Sequence, residues 1–367
     1  MTFRAIRHFL FQVHMWIGLV LGLLLVLLGL SGSLLVYDDK VADLLMPPPA
    51  ATTPGTVLPL DRIIAAARQA APMDGQIQLV PPQASGEAVS VRIGRMSRMG
   101  RGAGERASEV FVDPVSGAVL GQRTALQPAI LTFAHQLHGN FLMGREGRRF
   151  VGWLGIAMLA LGLSGIVLWW PKPGQWKYAF IVRRTATGLR FHRELHAMVG
   201  IWALFVFLVV SFSGVVLAWP QAFGAGPRAP RTMAKIEPLP GASRIGADAA
   251  AALALKAVPD SRLRSITLPA APDQPITVAL VAHAAINASV TIDPYRAQVV
   301  SVRDPSASFL AWQRPVHQGL LGPVWKFLVF LSGFLPLLFV VTGLVMWVKK
   351  RRARIAMSTP LVEEGIT

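Results

Sequence analysis

The stretch His14–Tyr37, HMWIGLVLGLLLVLLGLSGSLLVY, is long and apolar enough to cross a lipid bilayer as a helix. It begins with a histidine, and the chain contains a second version of it at 196–219, HAMVGIWALFVFLVVSFSGVVLAW. When the two histidines are aligned, Gly18 matches Gly200 and no gap is needed up to the ends of both stretches. Two related helices that each carry a histidine at the same depth indicate a pair of ligands that bind one group between them.

The composition indicates a membrane protein. Of the 367 residues, 53% are hydrophobic, which is more than a soluble domain of this size carries. Four apolar windows approach the length of about 20 residues that a spanning helix needs. These windows are about 15–37, 150–170, 197–219 and 324–348.

The net charge of +17 does not predict a nucleic-acid partner, because the cations cluster beside the apolar windows. Under the positive-inside rule, such flanking segments are cytoplasmic. We therefore expect a multi-pass protein of the bacterial inner (cytoplasmic) membrane, in contact with lipid, with both termini cytoplasmic and two large periplasmic loops. The cations that decide this orientation are Arg4, Arg7, Lys172, Lys177, Arg183, Arg184, Arg190, Arg193, Lys349, Lys350, Arg351, Arg352 and Arg354.

The two large loops share one plan, which is a helix followed by short strands of alternating polarity. In the first loop these strands are QIQLV, AVSVRI, EVFVD and GAVLG, with a turn at Asp113. The second loop repeats the pattern with a turn at Asp293, which lies 180 residues later. A steady offset of this kind indicates an internal duplication, and hence a pseudo-two-fold axis along the membrane normal. Met96–Arg106, rich in Gly and Arg, interrupts the first set of strands and is either a solvated loop or an attractor of anions.

The duplication pairs four of the eight histidines. His14 matches His196 at one face of the membrane, and His138 matches His317 at the other. Ionisable groups at membrane depth are costly and tend to have a task, and neutral imidazole is a common axial ligand of haem iron. We therefore expect two haem b groups per chain, each with its iron bound by one pair. Because the chain has no cysteine, covalent haem attachment through Cys is excluded.

Alternative interpretations accompany each of these residues. A single histidine at a helix end is typical of an interfacial side chain, and the glycines suit close helix packing as well as a flat cofactor. A zinc or copper site is less favoured, because each pair lacks a third ligand such as Cys or carboxylate. His135 and His192 are second-choice ligands, since each lies one turn from a paired histidine. Possible contacts for haem propionates, which would equally serve as lipid anchors, are Arg145, Arg148, Arg149, Arg190 and Arg193.

The chain resembles the PepSY-associated transmembrane protein family, which includes iron-regulated inner-membrane proteins and siderophore-iron reductases. The resemblance covers nearly the whole chain and depends on the H-x-x-x-G helix that ends in SGxLL, the LHG at 137–139, the SGIVLWWP at 164–171 and the D-P-x-S-G turn at 113–117. In the second repeat this turn is degraded to DPYRA. The resemblance implies a dihaem protein that passes electrons outward to ferric siderophores. Some relatives carry a fused flavoprotein reductase, which is not present in this sequence, so the electron donor would be a separate cytoplasmic reductase or a quinol.

Two other functions remain open at this stage. The extracytoplasmic units could be binding or regulatory modules on a membrane anchor without haem, which predicts that all four paired histidines tolerate substitution. A transporter is suggested by the repeat, but Lys326 is the only charged residue inside the four apolar windows, and ion-coupled transport usually needs more. The sequence identifies no catalytic side chain beyond the proposed haem ligands.

The predicted fold class is membrane α-helical, with four transmembrane helices, two extracytoplasmic α+β (PepSY-like) units and an internal two-fold duplication. The expected segments are a lead-in and first helix at 1–37, a first PepSY-like unit with a pre-helix at 38–149, a second helix at 150–170, a basic cytoplasmic loop at 171–195, a third helix at 196–219, a second PepSY-like unit at 220–323, a fourth helix at 324–348 and a cytoplasmic tail at 349–367.

Overall fold

The structure of the chain is a computed structural model that describes residues 2–358 except 83, 85, 96–105, 226–235, 284 and 285. The loop predicted at 96–106 therefore lies almost entirely outside the described residues, as does the end of the tail. The helices are α1 (Phe3–Val36), α2 (Asp38–Leu45), α3 (Leu60–Ala70), α4 (Ala129–Asn140), α5 (Gly144–Trp169), α6 (Trp176–Ala179), α7 (Gly188–Ala218), α8 (Ala247–Ala257), α9 (Phe309–His317), α10 (Pro323–Ser332) and α11 (Leu335–Ser358). The strands are β1 (Gln76–Val80), β2 (Val89–Arg95), β3 (Arg106–Val112), β4 (Val119–Arg123), β5 (Arg262–Leu268), β6 (Ile276–His283), β7 (Ile286–Asp293) and β8 (Gln298–Arg303).

The chain divides into two compact units, one of long apolar helices and one built around a sheet. The helical unit comprises 1–36, 133–223 and 316–367, and the sheet unit comprises 37–132 and 224–315. Within the described residues, four helical stretches are long and apolar enough to span a membrane. They are α1, α5, α7 and the stretch Pro323–Ile355, which comprises α10 and most of α11. The predicted fold class is confirmed, and the protein is a multi-pass membrane protein.

The fourth spanning stretch differs from the single uninterrupted helix that its hydropathy suggests. It breaks between α10 and α11 at Gly333, three residues before Pro336. A proline inside a helix removes one backbone hydrogen bond and clashes with the preceding turn, so the break falls where that bond would have been. The break lies against α1, where Ser33 Oγ donates to the carbonyl of Phe330 at 2.6 Å, and a methyl group on Gly333 would lie 2.4 Å from the carbonyl oxygen of Gly29.

The strands of both repeats form one antiparallel sheet of eight strands, in the order β4-β3-β2-β1-β5-β6-β7-β8. The two halves join where β1 pairs with β5, with Gln78 opposite Thr267. Alternate residues of the strands face α3 and α8 and make one continuous core, which includes Ile77, Leu79 and Ile266. The period of two in these strands explains the burial, but the sequence did not predict that the two sheets would merge across their inner edges.

The helices of the sheet unit cap one another across the pseudo-two-fold axis. Asp248, in the first turn of α8, accepts hydrogen bonds from the backbone N–H groups of Leu60 and Asp61 at 2.8 and 3.0 Å. Asp61, in the first turn of α3, accepts in return from the N–H groups of Ala247 and Asp248 at 2.6 and 3.4 Å. Each carboxylate thus satisfies donors that the first turn of the other helix leaves unpaired.

The two predicted aspartate turns are confirmed between β3 and β4 and between β7 and β8. In the first, Asp113 accepts hydrogen bonds from the N–H groups of Val115 and Ser116, both at 2.9 Å. The bond from Ser116 is the main cause that lowers the pKa of Asp113 to about 2. In the second, Asp293 accepts from Tyr295 and Arg296 in the same way. The turn chemistry therefore survives the loss of Ser and Gly in the second repeat.

Candidate functional site

The structure brings the first histidine pair, His14 and His196, together inside the helical unit. His14 lies on α1 and His196 on α7, and their ring centroids are 6.2 Å apart with 65° between the ring planes. Two metal–imidazole bonds of about 2 Å each, with the ring radius added on both sides, would place the centroids roughly 6 Å apart. The separation is therefore compatible with one metal atom between the rings.

The Nδ1 atoms of the first pair are both bonded to hydroxyl groups. His14 Nδ1 lies 2.9 Å from Ser164 Oγ, and His196 Nδ1 lies 2.7 Å from Thr342 Oγ1. Each hydroxyl already donates its only proton to a helix carbonyl, Ser164 to Ala160 at 2.6 Å and Thr342 to Leu338 at 2.8 Å. It must therefore accept from the imidazole, which places the proton on Nδ1 and the lone pair on Nε2, the arrangement that metal-bound histidines commonly have.

The second pair, His138 and His317, also comes together within the helical unit. Their ring centroids are 5.8 Å apart with 42° between the planes. His138 Nδ1 donates to the carbonyl of Leu28 at 2.9 Å, and His317 Nδ1 donates to that of Val210 at 3.0 Å. A carbonyl can only accept, so both rings again carry the proton on Nδ1.

The surroundings of His138 keep its imidazole neutral. Burial lowers the pKa of His138 and the nearby His135 lowers it further, while the hydrogen bond to Leu28 acts in the opposite sense. A neutral imidazole is the form that coordinates a metal.

All four spanning helices place a hydroxyl residue followed by glycine against a paired histidine. On α1 and α7 this dipeptide lies beside the second pair, where Ser31 Oγ is 3.5 Å from His138 Nδ1 and Ser213 Oγ is 3.1 Å from His317 Nδ1. A methyl group on Gly32 would lie 2.7 Å from His138 Cε1, so only glycine lets the ring approach this closely. The four dipeptides are Ser31-Gly32, Ser164-Gly165, Ser213-Gly214 and Thr342-Gly343.

The sequence carried a signal for these hydrogen-bond partners that hydropathy alone does not reveal. The four dipeptides occupy equivalent positions in the two repeats, as the paired histidines do. A packing role alone would account for the place of Ser31 and Ser213 in the helices, but it omits the contact of each hydroxyl with an imidazole. Small polar residues inside an apolar helix, repeated in register with a histidine, indicate a partner for that histidine.

A cavity of about 1210 Å³ surrounds the first pair. Its walls are formed by α1, α5, α7 and α11, and each of these helices contributes a glycine: Gly18, Gly165, Gly200 and Gly343. A methyl group added at Gly18 or Gly343 would have no atom within 4 Å, so these positions border open space. The cavity is larger than most drug-sized pockets, and its glycine-lined walls leave room for a flat ligand.

One end of this cavity is basic. Arg7, Arg193 and Lys350 line it, together with further cations of α1 and α11, and no Asp or Glu is among its lining residues. Arg190 does not line the cavity; it pairs with Glu194 at 2.9 Å.

The remaining predicted cations and histidines lie outside the cavity. Arg149 pairs with Glu146 at 3.0 Å in an exposed contact at the start of α5, where Arg145 and Arg148 also lie. Nδ1 of His192 is buried and has no hydrogen-bond partner in the described structure. His135 lies on α4, one turn before His138. None of these side chains lies among the residues that line the cavity around the first pair.

Comparison with known proteins places the chain in a family. A search of curated proteins finds no match to it. The family model described as the PepSY-associated TM region matches residues 11–350. This range includes both histidine pairs, the whole of α5 and α7, most of the other two spanning stretches and every strand of the described sheet. The chain therefore belongs to the PepSY-associated transmembrane family.

Proposed function

We propose that the protein is a dihaem transmembrane electron-transfer protein that reduces ferric iron, bound as Fe(III)-siderophore, on the periplasmic side of the bacterial inner membrane. The observation that carries this proposal is the equivalent arrangement of four histidines, each with its proton held on Nδ1 and a partner ring about 6 Å away. Two imidazoles leave a bare zinc ion with two vacant positions, whereas a porphyrin brings four nitrogens of its own.

The residues of the first pair fit haem b. His14 and His196 would supply the nitrogens that bind the iron, and the glycine-lined cavity would hold the macrocycle. Haem, when bound, supplies an iron that carries one electron at a time. Ser164 and Thr342 hold the two imidazoles in the orientation that directs Nε2 away from their helices.

The second pair would hold the second haem through His138 and His317. His138 bonds to the carbonyl of Leu28, which lies 14 residues after His14 on α1. At the helical rise of about 1.5 Å per residue, the two pairs are therefore about 21 Å apart along this helix. Two stations at this separation would divide the membrane crossing into two shorter transfers.

The orientation of the chain in the membrane follows from its flanking charges. The cations before α1, between α5 and α7 and at the end of α11 support a cytoplasmic location for these segments and a periplasmic location for the sheet unit, under the positive-inside rule. Electrons would come from a cytoplasmic reductase or from a quinol, which delivers two electrons and two protons. Each electron reduces one Fe(III) to Fe(II), and hard oxygen donors of a siderophore bind Fe(II) more weakly, so the iron is released.

Haem content and its dependence on each pair test the assignment. We expect purified protein to show a reduced-minus-oxidised b-type spectrum and about two haems per chain by pyridine haemochrome, since each pair binds one. The double variants His14→Ala/His196→Ala and His138→Ala/His317→Ala should each retain one haem, and the quadruple variant none. Single His135→Ala and His192→Ala variants examine the second-choice ligands. His283→Ala is the control, because His283 has no counterpart in the other repeat and belongs to the sheet unit, whereas the residues that line the cavity belong to the helical unit.

The reaction is tested separately from the cofactor. Protein reduced under anaerobic conditions should be reoxidised by a ferric siderophore, with Fe(II) captured by a chromogenic chelator in proportion to the electrons lost. A protein purified without any haem band, or with full haem in the quadruple variant, contradicts the proposal and favours a binding or regulatory PepSY protein. If the protein binds haem but ferric complexes do not reoxidise it, the electron-transfer role would stand and the ferric siderophore would be excluded as the electron acceptor.

A further inference from the structure

We propose that Arg7, Arg193 and Lys350 form a carboxylate-binding subsite at the basic end of the first cavity, which orients an amphipathic macrocycle with its acidic edge toward these cations. This inference rests on the proposed haem function and specifies how the ligand sits in the cavity. The chemical class of ligand is a flat apolar ring system with carboxylates on one edge.

The three cations continue the faces of the helices that form the cavity. Arg7 lies seven residues before His14 on α1, Arg193 lies seven residues before Gly200 on α7, and Lys350 lies seven residues after Gly343 on α11. Seven residues make two helical turns, about 10 Å along the axis, and return to the same face. The cations therefore all point toward one end of the space in which the imidazoles meet.

Local contacts hold two of these side chains at the cavity. Arg7 Nη2 donates to the carbonyl of Leu168 at 2.7 Å, near the end of α5. Lys350 Nζ lies 5.2 Å from the centre of the Phe11 ring, a cation–π contact on the neighbouring helix. Neither contact neutralises a positive charge, so both cations can pair with an anion.

The local charge balance favours an anionic ligand. Glu194 is the only acidic residue of α7, and it is already engaged by Arg183 and Arg190. The cavity walls between the cations and the histidines are mostly apolar, with His8 and Gln12 as polar residues of α1 among them. Phe339 packs against His196 at 4.8 Å between centroids. A ligand that is apolar along its body and anionic at one edge matches both the apolar walls and the basic end of the cavity.

The test compares two macrocycles that differ in whether their two carboxyl groups are free or methyl-esterified. The full chain with His138→Ala/His317→Ala, which leaves only the first pair, is prepared without haem in neutral detergent. It is titrated with haemin and with haemin dimethyl ester, and binding is followed by the bis-imidazole absorption band. We expect the ester to bind roughly tenfold more weakly, because it loses the charge-assisted hydrogen bonds to the cations.

A charge-matched pair of variants assigns the effect to these residues. Arg193→Gln/Lys350→Gln, which leaves Arg7 in place, should weaken haemin binding most of the way to the level of the ester and leave ester binding unchanged. The control Lys349→Gln/Arg352→Gln also removes two positive charges, both from positions of α11 that do not line the cavity. This control should bind haemin like the parent. Repeating the haemin titration in nanodiscs of phosphatidylcholine with and without phosphatidylglycerol should give equal affinity.

Each result decides between distinct explanations. Equal affinity for haemin and ester, or equal weakening in both double variants, overturns the subsite, and the second result assigns the effect to overall charge. Loss of the preference for haemin only in phosphatidylglycerol shows that the cations bind a lipid headgroup, which also overturns it. Failure of both macrocycles to bind removes the proposed haem function at this pair, and the subsite with it.

Discussion

At the scale of single residues, the hydroxyl partners of the histidines should decide how firmly the first pair binds a metal. Ser164→Ala/Thr342→Val removes both acceptors of the Nδ1 protons while keeping each side chain close to its size. We expect haem affinity at the first pair to fall about 10–100-fold, as it does when such outer partners of metal ligands are lost. Titration in the His138→Ala/His317→Ala background measures it.

Two further variants make this test specific. Ser164→Thr retains a hydroxyl and should preserve affinity. Ser332→Ala is the control, because Ser332 is also a buried helical serine but, among the residues that the structure describes, its hydroxyl bonds to the carbonyl of Val329 and to no histidine. An undiminished affinity in the double variant would show that ring packing alone orients the imidazoles.

The two aspartate turns offer a second prediction at the residue scale. The residue that closes the first turn, Gly117, has φ 73°, and its equivalent in the second turn, Ala297, has φ 52°. The left-handed region costs an L-residue about 1 kcal/mol relative to glycine, so Ala297→Gly should stabilise the sheet unit by about that amount. Gly117→Ala should destabilise it by about 1–2 kcal/mol, since the new methyl would also contact Leu58 at 3.1 Å. Hydrogen exchange of the amides in β4 and β8 of the full chain measures both, and changes of the same sign would contradict the argument.

At the scale of elements, the reciprocal caps of α3 and α8 tie the two repeats of the sheet unit together. Asp61→Ala removes the cap of α8, and Asp248→Ala removes that of α3. Each substitution should cost about 1 kcal/mol, with protection lost first at the amides of the helix that the missing carboxylate capped. The control is Asp74→Ala, since Asp74 is an exposed residue after α3 with no left-handed backbone and caps neither helix. Equal losses in both helices from either single substitution would mean that the caps act through the sheet instead.

The elements also show what a sequence can and cannot predict. The length of the four apolar windows correctly indicated the spanning helices, and the period of two in the loops correctly indicated the strands, which bury one face against α3 and α8. The pairing of β1 with β5 was not predictable in this way, since an edge strand that meets solvent and one that meets another strand can share the same alternation. The break at Gly333 depends on Pro336, which hydropathy does not register as a helix breaker.

At the scale of the whole molecule, the duplication explains why the candidate site was largely foreseeable. Two copies in register separate the histidines with a counterpart from those without one, and the structure brings each counterpart pair together. The cavity and its basic end were less accessible from sequence. They depend on which faces of α1, α7 and α11 meet, and on Arg190 pairing with Glu194 while Arg193 reaches the cavity.

The two pairs should act in series during electron transfer across the membrane. Proteoliposomes that contain an impermeant reductant, with a ferric siderophore and an Fe(II) chelator outside, measure transfer across the bilayer. We expect His138→Ala/His317→Ala and His14→Ala/His196→Ala each to reduce the rate to that of liposomes without protein. With one pair removed, an electron would have to cross in one step the distance of about 21 Å that separates the two pairs along α1. His283→Ala, which removes a histidine of the sheet unit that has no counterpart in the other repeat, should transfer like the parent. If either double variant kept the parental rate, the two pairs would act independently, and only one of them would belong to the electron path.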